Sequence, residues 1–124
     1  AYRAFQADDH GRARALFRAF VERYPRDDEA DNAQYWIGKS YLEQDDPAAA
    51  LRELRVVIGE HARADAADEA LLDMADAFFR LNACTDAKAA LDALIQGFPR
   101  SSLLPRARRL RRQIDRAPAG RCAS

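Results

Sequence analysis

Apolar positions in this chain recur with two superposed periods, one of a helical turn and one of 37 residues. Phe17, Leu54 and Leu91 fall in step at the longer spacing, as do Ala13, Ala50 and Ala87, and Val21, Ile58 and Ile95. Polar and turn residues keep the same register. Arg26, Arg63 and Arg100 are in step, and Tyr24-Pro25 returns as Phe98-Pro99 with His61-Ala62 between them. A fixed period of this size, carried by apolar and small residues, marks stacked supersecondary units that each bury an apolar face on the next.

Within one period the pattern predicts two helices and a short turn. In the middle unit, Ala33, Tyr35-Trp36-Ile37, Tyr41 and Leu42 form a stripe at helical spacing that opens near Ala30 and stops at Glu43-Gln44-Asp45. Asp46-Pro47 then supplies an N-cap followed by proline at the first helical position. A second helix from Pro47 to about Gly59 puts Ala50, Leu51, Leu54, Val57 and Ile58 on one face. The third unit repeats the plan with Ala67, Ala70-Leu71, Met74-Ala75 and Phe78-Phe79, a turn at Asn82 to Thr85, then Ala87, Leu91 and Leu94-Ile95. Pro25 and Pro99 stand just past the second helices, where continuation is unfavourable. Gly38, Ala50, Ala75 and Ala87 are small where paired helices should approach most closely. A last helix, residues 104–116, has a narrow stripe of Ala107, Leu110 and Ile114 and is otherwise rich in Arg, as expected of an element that caps a stack. These boundaries divide a single domain over 1–116 into units 1–29, 30–66 and 67–103, the capping helix 104–116 and a tail 117–124. About half of the first unit's opening helix would lie upstream of Ala1, so the expectation is a piece of a longer protein. Tyr2, Phe5 and their neighbours would then expose apolar surface able to drive self-association.

Composition narrows the class. The chain has 124 residues, abundant Ala, and five each of Gly and Pro, which favours helix throughout. Charged residues make up 32% with zero net charge, and no apolar run approaches the roughly 20 residues that span a bilayer. The charge is uneven. Residues 1–99 carry 12 basic and 19 acidic side chains, whereas residues 100–124 carry 8 Arg and a single Asp. Asymmetry of this kind steers association without specifying fold.

The spacing of Gly38, Tyr41, Ala50 and Leu54 with a downstream Tyr-Pro-type element resembles the tetratricopeptide repeat (TPR), lengthened by a few residues. More locally, Tyr24-Pro25, Ala30 and the run Asn32-Ala33-Gln34-Tyr35-Trp36-Ile37-Gly38-Lys39-Ser40-Tyr41 resemble the "YP…A.NA.YWLGE.Y" stretch of the YbgF/CpoB family, periplasmic proteins of the Tol–Pal envelope system. Ala67-Asp68-Glu69-Ala70-Leu71-Leu72 and Phe98-Pro99-Arg100-Ser101 are similar to that family's next signatures, and the likeness spans residues 2–112. His61-Ala62 departs from the family's Tyr-Pro, Ala75 replaces a glycine position, and Cys84 and Cys122 lie outside the pattern. The resemblance implies an all-α, right-handed superhelix of antiparallel helix pairs. It also implies a non-catalytic scaffold that binds a partner polypeptide in its concave groove, in the periplasm, with a TolA-like or other envelope protein as partner and a role in cell division. Outer-membrane assembly lipoproteins of the BamD type carry related repeats, as do cytoplasmic TPR modules of larger regulators, and these are the alternatives.

The residues themselves offer little for catalysis. Two His, two Cys and Ser at 40, 101, 102 and 124 make no Ser–His–Asp or Cys–His set, so no enzyme activity is expected, and neither cofactor nor metal. His10, beside Gly11, reads as a solvated turn residue, and His61 as packing at a unit junction; His61, Asp65 and Asp68 match no strong metal motif. Cys84 reads as a turn residue, and the antiparallel run of the capping helix would carry Cys122 back toward it. A bridge would contribute roughly 3–4 kcal/mol by restricting the unfolded chain, against the alternative of two unrelated thiols. In the register of TPR folds, the first helices point Asn32, Tyr35, Lys39, Glu43, Glu69, Leu72, Asp76, Phe79 and Arg80 inward, and the capping helix adds Arg106, Arg109 and Gln113. Aromatic, amide and charged groups in that mixture suit an extended or helical peptide. Trp36, about 100° round the helix from Tyr35, is expected to wedge against the preceding unit. The Arg-rich helix reads first as a solvated cap facing helix C-termini and the acidic body, and next as a contact with an acidic partner or anionic lipid. Nucleic acid is not expected, because the chain is neutral overall and the arginines surround the helix instead of lining one face.

Overall fold

The computed structural model describes residues 9–60, 66–118 and 120–122. Among these lie six α-helices and no strand: α1 (His10–Arg23), α2 (Asp28–Glu43), α3 (Pro47–Glu60), α4 (Ala67–Arg80), α5 (Cys84–Gly97) and α6 (Leu104–Asp115). The helical stripes of the sequence become these elements with ends displaced by a residue or two. α2 opens at Asp28 instead of Ala30 because Asp27 caps it, accepting from the Glu29 N–H at 2.8 Å, while Asp28, Glu29 and Asp31 set negative charge against the first turn. Asp46 caps α3 as expected, accepting from the Ala49 N–H at 3.2 Å ahead of Pro47. The capping helix closes at Asp115, with Arg116 as its C-cap.

The two inter-helix turns within the units are copies of each other. After α2, the Asp46 N–H donates to the Tyr41 carbonyl at 2.9 Å and the Asp45 N–H to Leu42 at 3.0 Å; after α4, Ala83 donates to Phe78 at 2.9 Å and Asn82 to Phe79 at 3.0 Å. Both are Schellman closures, and both put a non-glycine residue in the left-handed region, Asp45 at φ 56° and Asn82 at φ 62°. Asp and Asn tolerate that conformation best among residues with a side chain. The turn is therefore written twice, 37 residues apart.

Two readings are corrected. Cys84 is the first residue of α5, not part of the turn, because the closure after α4 is complete at Ala83. His10 is the first residue of α1 and is buried, because Asp9 caps that helix and draws His10 into its first turn. Tyr2 and Phe5, with the self-association expected of them, and His61 and Asp65 lie outside the described residues.

Each helix packs on the next in the chain, and α2 also touches α4, and α4 touches α6. α2, α4 and α6 thus form one layer and α1, α3 and α5 the other. Ile37, Leu54, Val57, Leu91 and Leu94 are the large side chains sealed between them. Gly38 lets α2 and α3 close up, since a Cβ there would stand 2.6 Å from the Leu54 Cδ2. Trp36 packs against a cluster of Ala13 and Phe17 from the preceding unit with Ala33 and Ile37 of its own, the wedge expected of it. No helix among the described residues is long and apolar enough to cross a membrane.

Candidate functional site

The layer made by α2, α4 and α6 carries two adjoining clefts. Tyr35, Lys39, Glu69 and Arg106 border one of about 210 Å³; Lys39, Asp76, Arg109 and Gln113 border the next, of about 280 Å³. Leu72, Asp73 and Arg106 belong to both. Eight of the sequence-predicted groove residues, Gln113 included, therefore share this surface. Asn32 lies apart, in a more apolar cleft of about 390 Å³ between α1 and α2 with Leu16, Phe20 and Trp36. Phe79 borders a fourth space at the C-terminal end, together with Arg109. Glu43 is exposed and forms an i,i+4 ion pair with Lys39 at 3.8 Å.

Three of the predicted groove residues are structural in their placement. Tyr35, Leu72 and Phe79 are each buried within the core. Arg80 binds across the junction of two units: it donates to the Leu42 carbonyl at 3.1 Å and pairs with Asp45 at 3.4 Å and Asp76 at 3.0 Å. Its guanidinium adds a further donor to the Leu42 carbonyl at the end of α2, beside the Asp45 N–H.

The centre of the surface is a residue the periodicity passes over. Asp73 is buried at 6% exposure, accepts the Tyr35 hydroxyl at 2.6 Å, and faces the Lys39 ammonium at 3.6 Å. Burial pushes its carboxyl above the ordinary carboxylate value, while Lys39 and the Tyr35 hydrogen bond pull it back. The same burial, with Asp73 next to it, pushes the Tyr35 phenol far up, so it remains a donor at any physiological pH. Glu69, exposed at the rim, is also raised, first by partial desolvation of its carboxyl and then by Asp68 and Asp73. Asp73 stands between Leu72 and Met74 with Trp36 one period before it, so neither helical spacing nor repeat register marks it. The available signal was a lone carboxylate inside an otherwise apolar run, paired with a phenol 38 residues earlier.

The C-terminal end is closed by the tail. Cys84 and Cys122 form a disulfide with Cα atoms 5.4 Å apart. It holds Arg121 over the Phe79 ring at 3.8 Å, where the guanidinium donates to the Phe79 carbonyl and to Asn82 Oδ1, each at 3.3 Å. On α6 itself, Arg111 pairs with Asp92, and Lys88 of α5 with Asp115 at 2.9 Å. These two ion pairs, one with its cation on α6 and one with its cation on α5, bind the cap to the preceding helix.

Among the described residues no His/Cys/Asp/Glu cluster able to hold a metal occurs. Asp68 serves a packing role, accepting the Ser101 hydroxyl at 2.6 Å. No curated protein matches the chain. The tetratricopeptide repeat matches at residues 32–64 and again at 69–101, the same 37-residue register read from the apolar pattern. Together those segments make up more than half of the sequence, and with paired helices stacked in two layers the chain belongs to the tetratricopeptide repeat family, whose repeats mediate protein–protein interaction.

Proposed function

We propose that this protein is a non-catalytic scaffold that holds a partner polypeptide along the α2–α4–α6 surface, in the bacterial cell envelope. One observation carries the reading: three helices from successive units bring Lys39, Glu69, Asp76 and Arg106 around contiguous clefts. Charges of both signs flanking apolar floor residues suit an extended peptide, whose backbone and side chains need both donors and acceptors. The envelope assignment draws on the resemblance to the YbgF/CpoB family, with a TolA-like or cell-wall synthetic protein as partner. The Cys84–Cys122 disulfide supports an oxidising compartment over the cytoplasm.

The test is affinity capture from envelope and cytosolic extracts, with a Glu69→Ala/Arg106→Ala variant beside the wild type. Both side chains are exposed, so the variant keeps its core. Envelope proteins captured by the wild type and lost by the variant are the expected outcome. Capture of cytosolic proteins alone sinks the envelope assignment, and capture unchanged in the variant moves the binding surface elsewhere.

A further inference from the structure

The arginine of the tail stands where a next repeat's arginine would stand. Arg80 reaches the Leu42 carbonyl and the Asp45 side chain; Arg121 reaches the Phe79 carbonyl and the Asn82 side chain, the same two positions 37 residues on. The surroundings differ in charge. Around Arg80 the partners are carboxylates, Asp45 and Asp76. In register, Asn82 takes the place of Asp45 and Gln113 the place of Asp76. Both acids have become amides, which keep a hydrogen-bond acceptor and drop the charge.

The consequence is a cationic cleft of about 540 Å³ whose walls include Phe79, Arg109, Arg112, Gln113, Arg116 and Arg121. Arg109, Arg112 and Arg116 have no carboxylate partner among the described residues, and the partners of Arg121 are neutral. Four guanidinium groups thus surround one space whose lining includes no acid among the described residues. Arg112 and Arg109 lie three apart on α6 and Arg116 a further four, so they share a face of that helix.

We infer that this cleft docks an acidic segment of a partner protein, whose carboxylates take the places that Asp45 and Asp76 hold around Arg80. A guanidinium binds a carboxylate through paired, charge-assisted hydrogen bonds, and the Phe79 ring floors the space with apolar surface. A short acidic peptide fits better than a nucleic acid, because the basic surface does not continue. The adjoining cleft is bordered by Asp73 and Asp76, which repel a polyanion running along the groove. This inference rests on the proposed groove, since the cleft is the groove's C-terminal end.

The experiment is fluorescence polarisation of a labelled oligoglutamate peptide with the disulfide-intact protein, using oligoglutamine of equal length as control. Oligoglutamate should bind saturably and be weakened by salt, and oligoglutamine should not bind. Asn82→Asp/Gln113→Asp gives the cleft its own carboxylates, keeps every arginine, and should weaken oligoglutamate by about tenfold or more. Gln96→Asp/Ser102→Asp adds equal charge elsewhere and should bind like the wild type. Equal weakening in both variants, or no oligoglutamate binding, overturns the cleft. So does tighter binding of single-stranded DNA or anionic vesicles than of oligoglutamate. Loss of the cleft while extract partners are still captured leaves the wider groove standing.

Discussion

The two junctions of the inner layer solve one packing problem with different chemistry. Between α2 and α4, the Tyr35 hydroxyl is sealed against Asp73, and Arg80 is neutralised by Asp45 and Asp76. Between α4 and α6, the register replaces Tyr35 with Leu72 and Asp73 with Leu110, while Arg121 meets an amide, a carbonyl and the Phe79 ring, all neutral. The first junction pairs Lys39 with Asp73 and Arg80 with Asp45 and Asp76. The second places its apolar residues in the core and leaves its cations in the cleft. A repeat fold can thus keep one geometry while deciding, position by position, whether a charge is used for cohesion or held for a partner.

Removing the disulfide breaks the second junction most severely. Cys122→Ser should cost about 3 kcal/mol from restored chain entropy, read by denaturant unfolding. It should also weaken oligoglutamate several-fold, because Arg121 is no longer held over Phe79. Unchanged stability would mean that the tail docks without its bond.

The first junction is tested at Asp73. Asp73→Ala strands the buried Tyr35 hydroxyl and should cost about 2 kcal/mol. Asp73→Asn is subtler. Because the folded chain raises this carboxyl above 3.8, its protonation stabilises the fold. That contribution is complete below the unfolded value and is lost as pH rises through the folded one. Glu69 has the same sign. Melting temperature followed from neutral pH down toward 4 should therefore include a stabilising component that Asp73→Asn lacks. Parallel curves for the two proteins would remove the buried charge from the comparison.

Arg80→Ala should cost about 1 kcal/mol, since its ion pairs are partly exposed and only the bond to the Leu42 carbonyl is sheltered. A loss near zero would make the first clamp ornamental. Smallest of all, Asn82→Asp/Gln113→Asp should convert the second junction to the first type and stabilise it by about 0.5 kcal/mol in low salt. A destabilising result would show that Arg121 cannot use carboxylates at those positions.

Much of this molecule was legible in its sequence, and the boundary is physical. The 37-residue register, the caps at Asp46 and Pro47 and the close approach at Gly38 are local or periodic features, and pattern alone reports them. Asp73 was not legible, because its burial depends on a phenol delivered by another unit. Nor was the docking of Arg121, which sits four residues beyond the register position of Arg80, at Ala117, and reaches its place through the tail. His10 misled because glycine beside it suggested a turn, while the Asp9 cap had already begun a helix. Among the groove residues, helical register identified the face but not the depth, so Tyr35, Leu72 and Phe79 proved to be floor as much as wall.

A linear stack normally frays from its ends, because a terminal unit has a neighbour on one side only. The Cys84–Cys122 bond changes that boundary condition: it closes α5, α6 and the tail into a covalent ring at the array's C-terminal end. Partial opening there cannot free the last helix completely, and the chain ends stay near their native positions for reclosure. The ring therefore makes the opening of the stack directional, with amide exchange slowest beside the bond and faster with distance from it.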